Sequence, residues 1–313
     1  MKKGILQFLA VVAAVGAAAF LLRPSEPVRT RDEWPAMGTI AGLTFRGEAP
    51  ERDAIRDLVQ KRYERLEGLL SAWNPDSELS RLSREGGTNW VARVSSETEK
   101  CYRMALTLAE RSGGAFNPWV GAKLQELGFS GGRPLAKFDL GAIAKGFAVD
   151  AAWRDVTGTF GTSDLLIDLG GNLRVVGGAW CTGVRNPFGQ GYAATITLTN
   201  GEAVATSGYY ERFVEKNGVR YSHILDGRTG EPTTGIAGVT VIAPSAALAD
   251  GLSTTLFVLG PDDGMRFLAK WHPGIAALWI PDAPDSPEII ANSVMAARLS
   301  DAAFPIRRIG GLR

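Results

Sequence analysis

Apolar positions recur at helical spacing near the start of the chain. Ile55, Leu58, Val59, Leu66, Leu69 and Leu70 fall on one face, which predicts an amphipathic helix over about residues 51–71. Trp73-Asn74-Pro75-Asp76 breaks it. Residues 96–111 read as a second helix, with Ser95 or Ser96 as N-cap, Glu99 available for a capping box and Gly113-Gly114 as the stop. Residues 37–46 alternate like a strand. Residues 137–155 read as strand, turn and helix: Phe138-Asp139-Leu140 extended, Gly141 at the corner, the helix from Ile143 onward. A second strand and turn follow at residues 165–172. From 173 to 243 the pattern is strand-rich with glycine turns. Residues 245–259 and 262–271 read as helices, and 275–280 and 288–294 as closing strands. Strands and helices are grouped rather than alternating. That predicts an α+β fold, antiparallel sheets with packed helices, over residues 37–313. The polar, proline-containing stretch 24–36 reads as a linker.

The first 23 residues belong to a different class. Lys2 and Lys3 precede an uncharged, mostly apolar run from Gly4 to Leu22, and Arg23-Pro24 closes it. This is the pattern of an export signal. Ala17-Ala18-Ala19 fits a small-residue cleavage site, while the run is also just long enough to stay as a membrane anchor. Both outcomes are open, and both place the remainder outside the cytoplasm: periplasmic, or anchored to the inner membrane and facing the periplasm. No cysteine stands near the segment for lipid attachment.

Composition narrows the partners. Of 313 residues, 45% are hydrophobic and 38 are glycine, as suits a globular α+β chain with many tight turns. Taking Lys2, Lys3 and Arg23 away from a net charge of +1 leaves about −2 on the rest. No short stretch is dominated by Lys and Arg, so nucleic acid is not an expected partner. Cys101 and Cys181 lie eighty residues apart in unlike patterns and read as two separately buried thiols. Neither sits in a Cys/His cluster, which argues against zinc.

Four constellations carry candidate chemistry. Asp250 and Thr254 are four apart and share a helix face, so a carboxylate and a hydroxyl are available for a hard cation such as Mg²⁺. An aspartate in a first helical turn also simply complements the dipole. Gly141 and Gly146 bracket a helix start carrying Lys145, which is either a phosphate cradle without the spacing of a known phosphate motif or simply a tight strand-to-helix corner. His223 follows a strand and precedes the glycine turn at 227–230, within reach of Asp226, so it is a candidate general base with a carboxylate orienter, the alternative being a structural histidine. The other histidine, His272, reads as structural. Trp73 and Phe116 stand in loops, where aromatic rings either sandwich a flat ligand or cap the core.

Taken in order, nine segments resemble the ApbE family of FAD:protein FMN transferases. They are Met37-Gly38-Thr39; Trp73 with Ser77 to Leu82; Gly114-Ala115-Phe116-Asn117-Pro118; Asp139 to Asp150; Ile167 to Asn172; Gly183 to Pro187; Thr206-Ser207-Gly208-Tyr209; Tyr221 to Gly230; and Ala249 to Thr254. The resemblance implies an ApbE-like, T-fold-related architecture. It implies FAD as substrate, with contacts from Met37, Trp73, Ala115, Phe116, Asn117, Phe147 and Ile224. It implies Mg²⁺ held by the Ala144 carbonyl and the side chains of Asp250 and Thr254. His223 matches a histidine on which transfer depends, and Asp226 and Lys145 stand beside it as the further catalytic candidates. The implied reaction moves FMN from FAD to a Thr or Ser hydroxyl of an acceptor, an envelope redox protein, and releases AMP. Hydrolysis of FAD to FMN and AMP, or FAD binding without chemistry, are the competing readings. The chain departs from the family pattern at Asn117 (usually Asp), Trp119 (usually small), residues 126–129 (usually richer in aromatics) and Gly227 (usually Pro). The last is expected to loosen the turn after Asp226.

Overall fold

All eight residues of the strand Ile236–Ala243 are buried, and the strand shows no polar–apolar alternation. A strand reads this way when both of its faces are covered. Its even residues include Ile242, packed in one apolar cluster, and its odd residues Val239, Val241 and Ala243 pack in another. The computed structural model, which describes residues 29–85, 94–130, 136–161, 164–211, 213–216 and 219–310, arranges three layers around it. The N-terminal apolar run lies outside the described residues. Among those residues no helix is long and apolar enough to cross a membrane.

In chain order the strands are β1 (Arg29–Ala36), β2 (Thr39–Arg46), β3 (Leu165–Leu169), β4 (Asn172–Val176), β5 (Trp180–Arg185), β6 (Tyr192–Leu198), β7 (Ala203–Gly208), β8 (Phe213–Lys216), β9 (Val219–Ser222), β10 (Ile236–Ala243), β11 (Ala276–Pro281), β12 (Ile289–Asn292), β13 (Leu299–Ser300) and β14 (Ile306–Ile309). The helices are α1 (Arg52–Leu70), α2 (Glu78–Glu85), α3 (Ser96–Arg111), α4 (Gly121–Glu126), α5 (Gly141–Phe160), α6 (Ala246–Trp271) and α7 (Ser293–Ala296). The main sheet runs β1-β2-β3-β4-β7-β10-β11-β12-β14, and a second sheet runs β13-β6-β5. Pairing is antiparallel except between β12 and β14. One apolar cluster fills the space between the main sheet and the helices, and the other lies between the two sheets. The architecture is the expected α+β.

Five local readings are corrected. Residues 29–36, read as linker, form edge strand β1, paired with β2 along its whole length. Their charge hid the strand. Arg31 reaches across Gly42 to Asp168 (2.8 Å), Asp32 pairs with Arg52, and of the eight residues only Trp34 is buried. Residues 138–140 are not a strand; the helix begins directly at Gly141. Residues 37–38 are the turn before β2. The capping box of α3 is also built differently. Ser95 caps the helix through Thr98 N–H, but the Ser95 N–H donates to Glu78 of α2 (2.8 Å), while Glu99 pairs with Arg103. Cys101 is buried as expected, whereas Cys181 is exposed on β5, and the two are not bonded.

The helices α5 and α6 cross with almost no side chain between them. A Cβ placed on Gly146 would lie 2.2 Å from the Ala246 carbonyl oxygen. Asp150, one turn further along α5, accepts from the N–H groups of Ala246 (2.8 Å) and Ala247 (3.0 Å) at the start of α6. Arg174 of β4 closes the cluster, with Nη1 at 2.6 Å from Asp150. The free amides of a helix start and a buried cation therefore satisfy this carboxylate. Gly146→Ala is expected to destabilise the protein by about 1–3 kcal/mol through backbone overpacking. Urea unfolding at pH 7 checks this, and an unchanged midpoint would show that α6 can move away freely.

Candidate active site

The crossing of α5 and α6 sets the heart of the site. Asp250 lies one turn into α6, buried, and its Oδ2 accepts from Gly146 N–H at 2.9 Å. Its Oδ1 faces the Lys145 ammonium at 3.9 Å, beyond hydrogen-bonding distance. Lys145 itself donates to the Gly141 carbonyl at 3.1 Å. Burial pushes the Asp250 carboxyl above the usual carboxylate range, against the pull of Lys145 and the Gly146 amide. Four residues on, the Thr254 hydroxyl meets Ser207 of β7 at 3.1 Å, and Ser207 also meets Ser253 at 2.8 Å. Ala144 is buried on α5, two residues before Gly146.

This donor set fits a hard divalent cation. One carboxylate oxygen is oriented by an amide and the other lacks a hydrogen-bond donor among the described residues. A hydroxyl stands on the same helix face, and a helical carbonyl lies on the facing helix. Among the described residues there is no cluster of three or more His, Cys, Asp or Glu side chains. The set is one of oxygens, suited to an ion that keeps positions for water and phosphate rather than to zinc.

A second group of candidates gathers on the loops above. The residues after α3 turn back through Gly113 and Gly114, both at positive φ, and bring Ala115, Phe116 and Asn117 against the segment 223–230. Gly227 N–H donates to Ala115 O (3.1 Å), and Asn117 Nδ2 donates to Gly227 O (3.1 Å). Gly227 therefore marks a close approach, not a loosened turn. Ala115 and Phe116 are buried. His223 lies edge-on to Phe129, with ring centroids 6.5 Å apart, so the altered segment 126–129 keeps an aromatic beside the histidine. Ile224 is buried and opens a narrow hairpin: Thr233 N–H donates to its carbonyl and Asp226 N–H to Glu231 O. The Asp226 carboxylate is engaged by Arg228, with Nε at 2.8 Å and Nη2 at 2.6 Å. The hydrogen bond from Arg228 holds it below the usual range. Its described work is thus to brace the turn that carries His223. His272, read as structural, packs against Phe267 at the end of α6.

Two further candidates stand on other loops. Met37 sits at φ 48° in a two-residue turn with Gly38 at φ 72°. A side chain at positive φ is strained, and Glu67 of α1 holds the turn by accepting Met37 N–H at 3.2 Å. Trp73 is exposed; its N–H and that of Asn74 both donate to Ser71 Oγ. Phe147 follows Gly146 on α5. It is buried and lines a cavity of about 120 Å³ with Arg62, Glu97, Lys100, Ala151, Arg154 and Asp155. Sequence reading did not foresee Ser207 as the partner of Thr254, nor Glu67 behind Met37. The motif 206–209 flagged the first region, but nothing in the sequence pairs Glu67 with a turn thirty residues away.

A model of the ApbE family matches residues 37–135 and 129–279. A FAD:protein FMN transferase of Treponema pallidum is 33% identical, over 87% of this chain and 90% of its own length. One of Rhodobacter capsulatus is 29% identical over 96% of this chain, which spans 64% of that relative's length. The ApbE protein of Thermotoga maritima superposes with a TM-score of 0.76 at 25% identity, covering 88% of this chain and 100% of that one. The flavin transferase ApbE from Vibrio cholerae superposes with a TM-score of 0.72 at 24% identity, covering 87% and 100%.

Because burial raises the Asp250 carboxyl in the folded state, the folded chain binds that proton more tightly than the unfolded one does. Stability is therefore lost as pH rises from the ordinary carboxylate range through the raised value. Asp250→Asn removes this buried charge and is expected to make the metal-free protein more stable at pH 7. Urea unfolding in EDTA measures it; a loss of stability would mean that attraction to Lys145 outweighs burial.

Proposed function

The chain belongs to the ApbE family, and on that premise we propose that it is a Mg²⁺-dependent FAD:protein FMN transferase working outside the cytoplasm. The observation that carries the reading is the Asp250 carboxylate. It is buried between α5 and α6 with one oxygen oriented by Gly146 and the other open beside Lys145. A protein seldom keeps such a group unless a ligand completes it.

Ala144 O, Asp250 and Thr254 would hold the cation, which when bound supplies positive charge to the FAD pyrophosphate. Lys145, on the first turns of α5, offers a second positive charge to the same phosphates. Trp73, Met37, Ala115 and Phe116 would border the nucleotide. His223 accepts the proton of the acceptor's Thr or Ser hydroxyl, which is a poor nucleophile until it is deprotonated. The hydroxyl oxygen then bonds to the FMN phosphorus as the pyrophosphate bond breaks, and AMP carries away the electron pair. Asp226 and Arg228 keep the turn below His223 in shape. The export pattern of residues 1–23 supports an envelope redox protein as acceptor, and an inner-membrane location if the segment is retained.

The test incubates residues 24–313 with FAD, Mg²⁺ and a flavin-acceptor domain that carries a threonine site. Flavin fluorescence is read in a denaturing gel and the acceptor mass is measured. A covalent label that vanishes with EDTA is the expected result. AMP release without a label would replace the transferase by a hydrolase, and intact FAD would leave a binding protein. In the same assay His223→Ala should abolish labelling while FAD still binds, and labelling at the wild-type rate would assign the base elsewhere. Asp250→Ala should lose the Mg²⁺-dependent turnover; unchanged turnover at limiting Mg²⁺ would remove the metal assignment.

A further inference from the structure

Asn117 and Gly227 are separate departures from the family pattern in the sequence, but in the fold they touch. Asn117 Nδ2 donates to the Gly227 carbonyl at 3.1 Å, and Asn117 Oδ1 accepts Trp119 N–H at 2.9 Å. The Gly227 N–H donates to Ala115 O at 3.1 Å. A Cβ on residue 227 would lie 2.2 Å from Asn117 Cβ and 2.4 Å from the Gly114 carbonyl oxygen. Both are atoms at or next to the backbone, so no flexible side chain can swing away to make room. Only glycine at 227 allows this approach, and the amide at 117 supplies both the donor and the acceptor that it uses.

We propose that Asn117 and Gly227 form a lock that positions the His223 loop against the nucleotide segment 115–117. On this account Asn117 is a positioning residue, its amide bonded at each end to a backbone group. The lock acts at one point on each loop. Gly227 lies four residues beyond His223 in a turn braced by Asp226 and Arg228, and Lys123 of α4 packs on the far side against Gly230 and Glu231. Displacing residue 227 therefore shifts the turn as a unit, and His223 with it. An aspartate at 117 would set a carboxylate oxygen against the Gly227 carbonyl where a donor now stands. An alanine at 227 would wedge the loops apart without any change of charge.

The catalytic part of this proposal rests on the transferase reading; the lock itself does not. Asn117→Asp, Gly227→Ala and the double variant are therefore compared by two readouts. The first is amide hydrogen exchange over residues 223–230, which needs no substrate. Faster exchange in both single variants, with the thermal midpoint of the whole protein little moved, is expected. Unchanged exchange in both would overturn the lock. The second separates kcat of flavin transfer from the Kd of FAD measured by flavin fluorescence. Each variant should lower kcat by about 10-fold or more, as a misplaced reacting group does, while Kd changes by less than about threefold. Because either change breaks the same contact, the double variant should lose no more than the worse single one. Faster exchange with unaltered kcat, or a loss confined to FAD affinity, would refute the positioning role. A wild-type protein that transfers no flavin would count against the transferase reading alone, and the exchange measurement would still decide whether the loops are locked.

Discussion

The backbone-to-backbone approach of α5 and α6 at Gly146 is the constraint on which the rest of the site depends. With no side chain at 146, the first turns of α6 lie directly on α5, and the Gly146 amide reaches the Asp250 carboxylate. The same contact brings Lys145 beside Asp250 and sets Thr254 against Ser207 of β7. Gly251 extends the arrangement to a third helix: a Cβ there would lie 2.3 Å from Leu108 of α3 and 3.4 Å from Ile143 of α5. Leu108 is the last turn of α3 before the chain bends into residues 113–117. The loops bearing Phe116 and His223 are thus referred, through α3, to the same helix crossing that holds the carboxylate.

Two buried aspartates on this crossing show how environment divides structural from chemical roles. Asp150 accepts from two helix-start amides and from Arg174, so its charge is met by hydrogen bonds on both oxygens. Asp250 receives one amide and a distant ammonium, and burial raises its carboxyl. The first is a completed cap that fixes where α6 begins. The second is an electrostatically incomplete group held rigidly by that cap, the condition under which a bound cation gains most.

Much of this was legible in the sequence because it is local. The spacing of Ile55 to Leu70, the Ser95 cap, the glycine stop after α3 and the i, i+4 pair Asp250/Thr254 all rest on periodicity or neighbours in the chain. What escaped is long-range. Residues 29–36 form a strand because their charges find partners on α1 and β3, which no local pattern announces. Ser207 and Glu67 act across the fold for the same reason. Gly227 was misjudged since its missing side chain matters to Gly114, Ala115 and Asn117, more than a hundred residues away. The exposure of Cys181 follows from its place on the outer face of a second sheet that the sequence did not separate from the first.

The central claim is that α5 and α6 together build a cation site around Asp250. The most direct measurement is a crystal structure grown with Mn²⁺ and FAD, with anomalous scattering collected at the manganese edge. The account predicts a single strong peak at about 2.0–2.2 Å from an Asp250 oxygen, the bond length of a small octahedral divalent ion, with Thr254 and the Ala144 carbonyl on the same ion. A peak elsewhere, or bound FAD without any metal at Asp250, would contradict it.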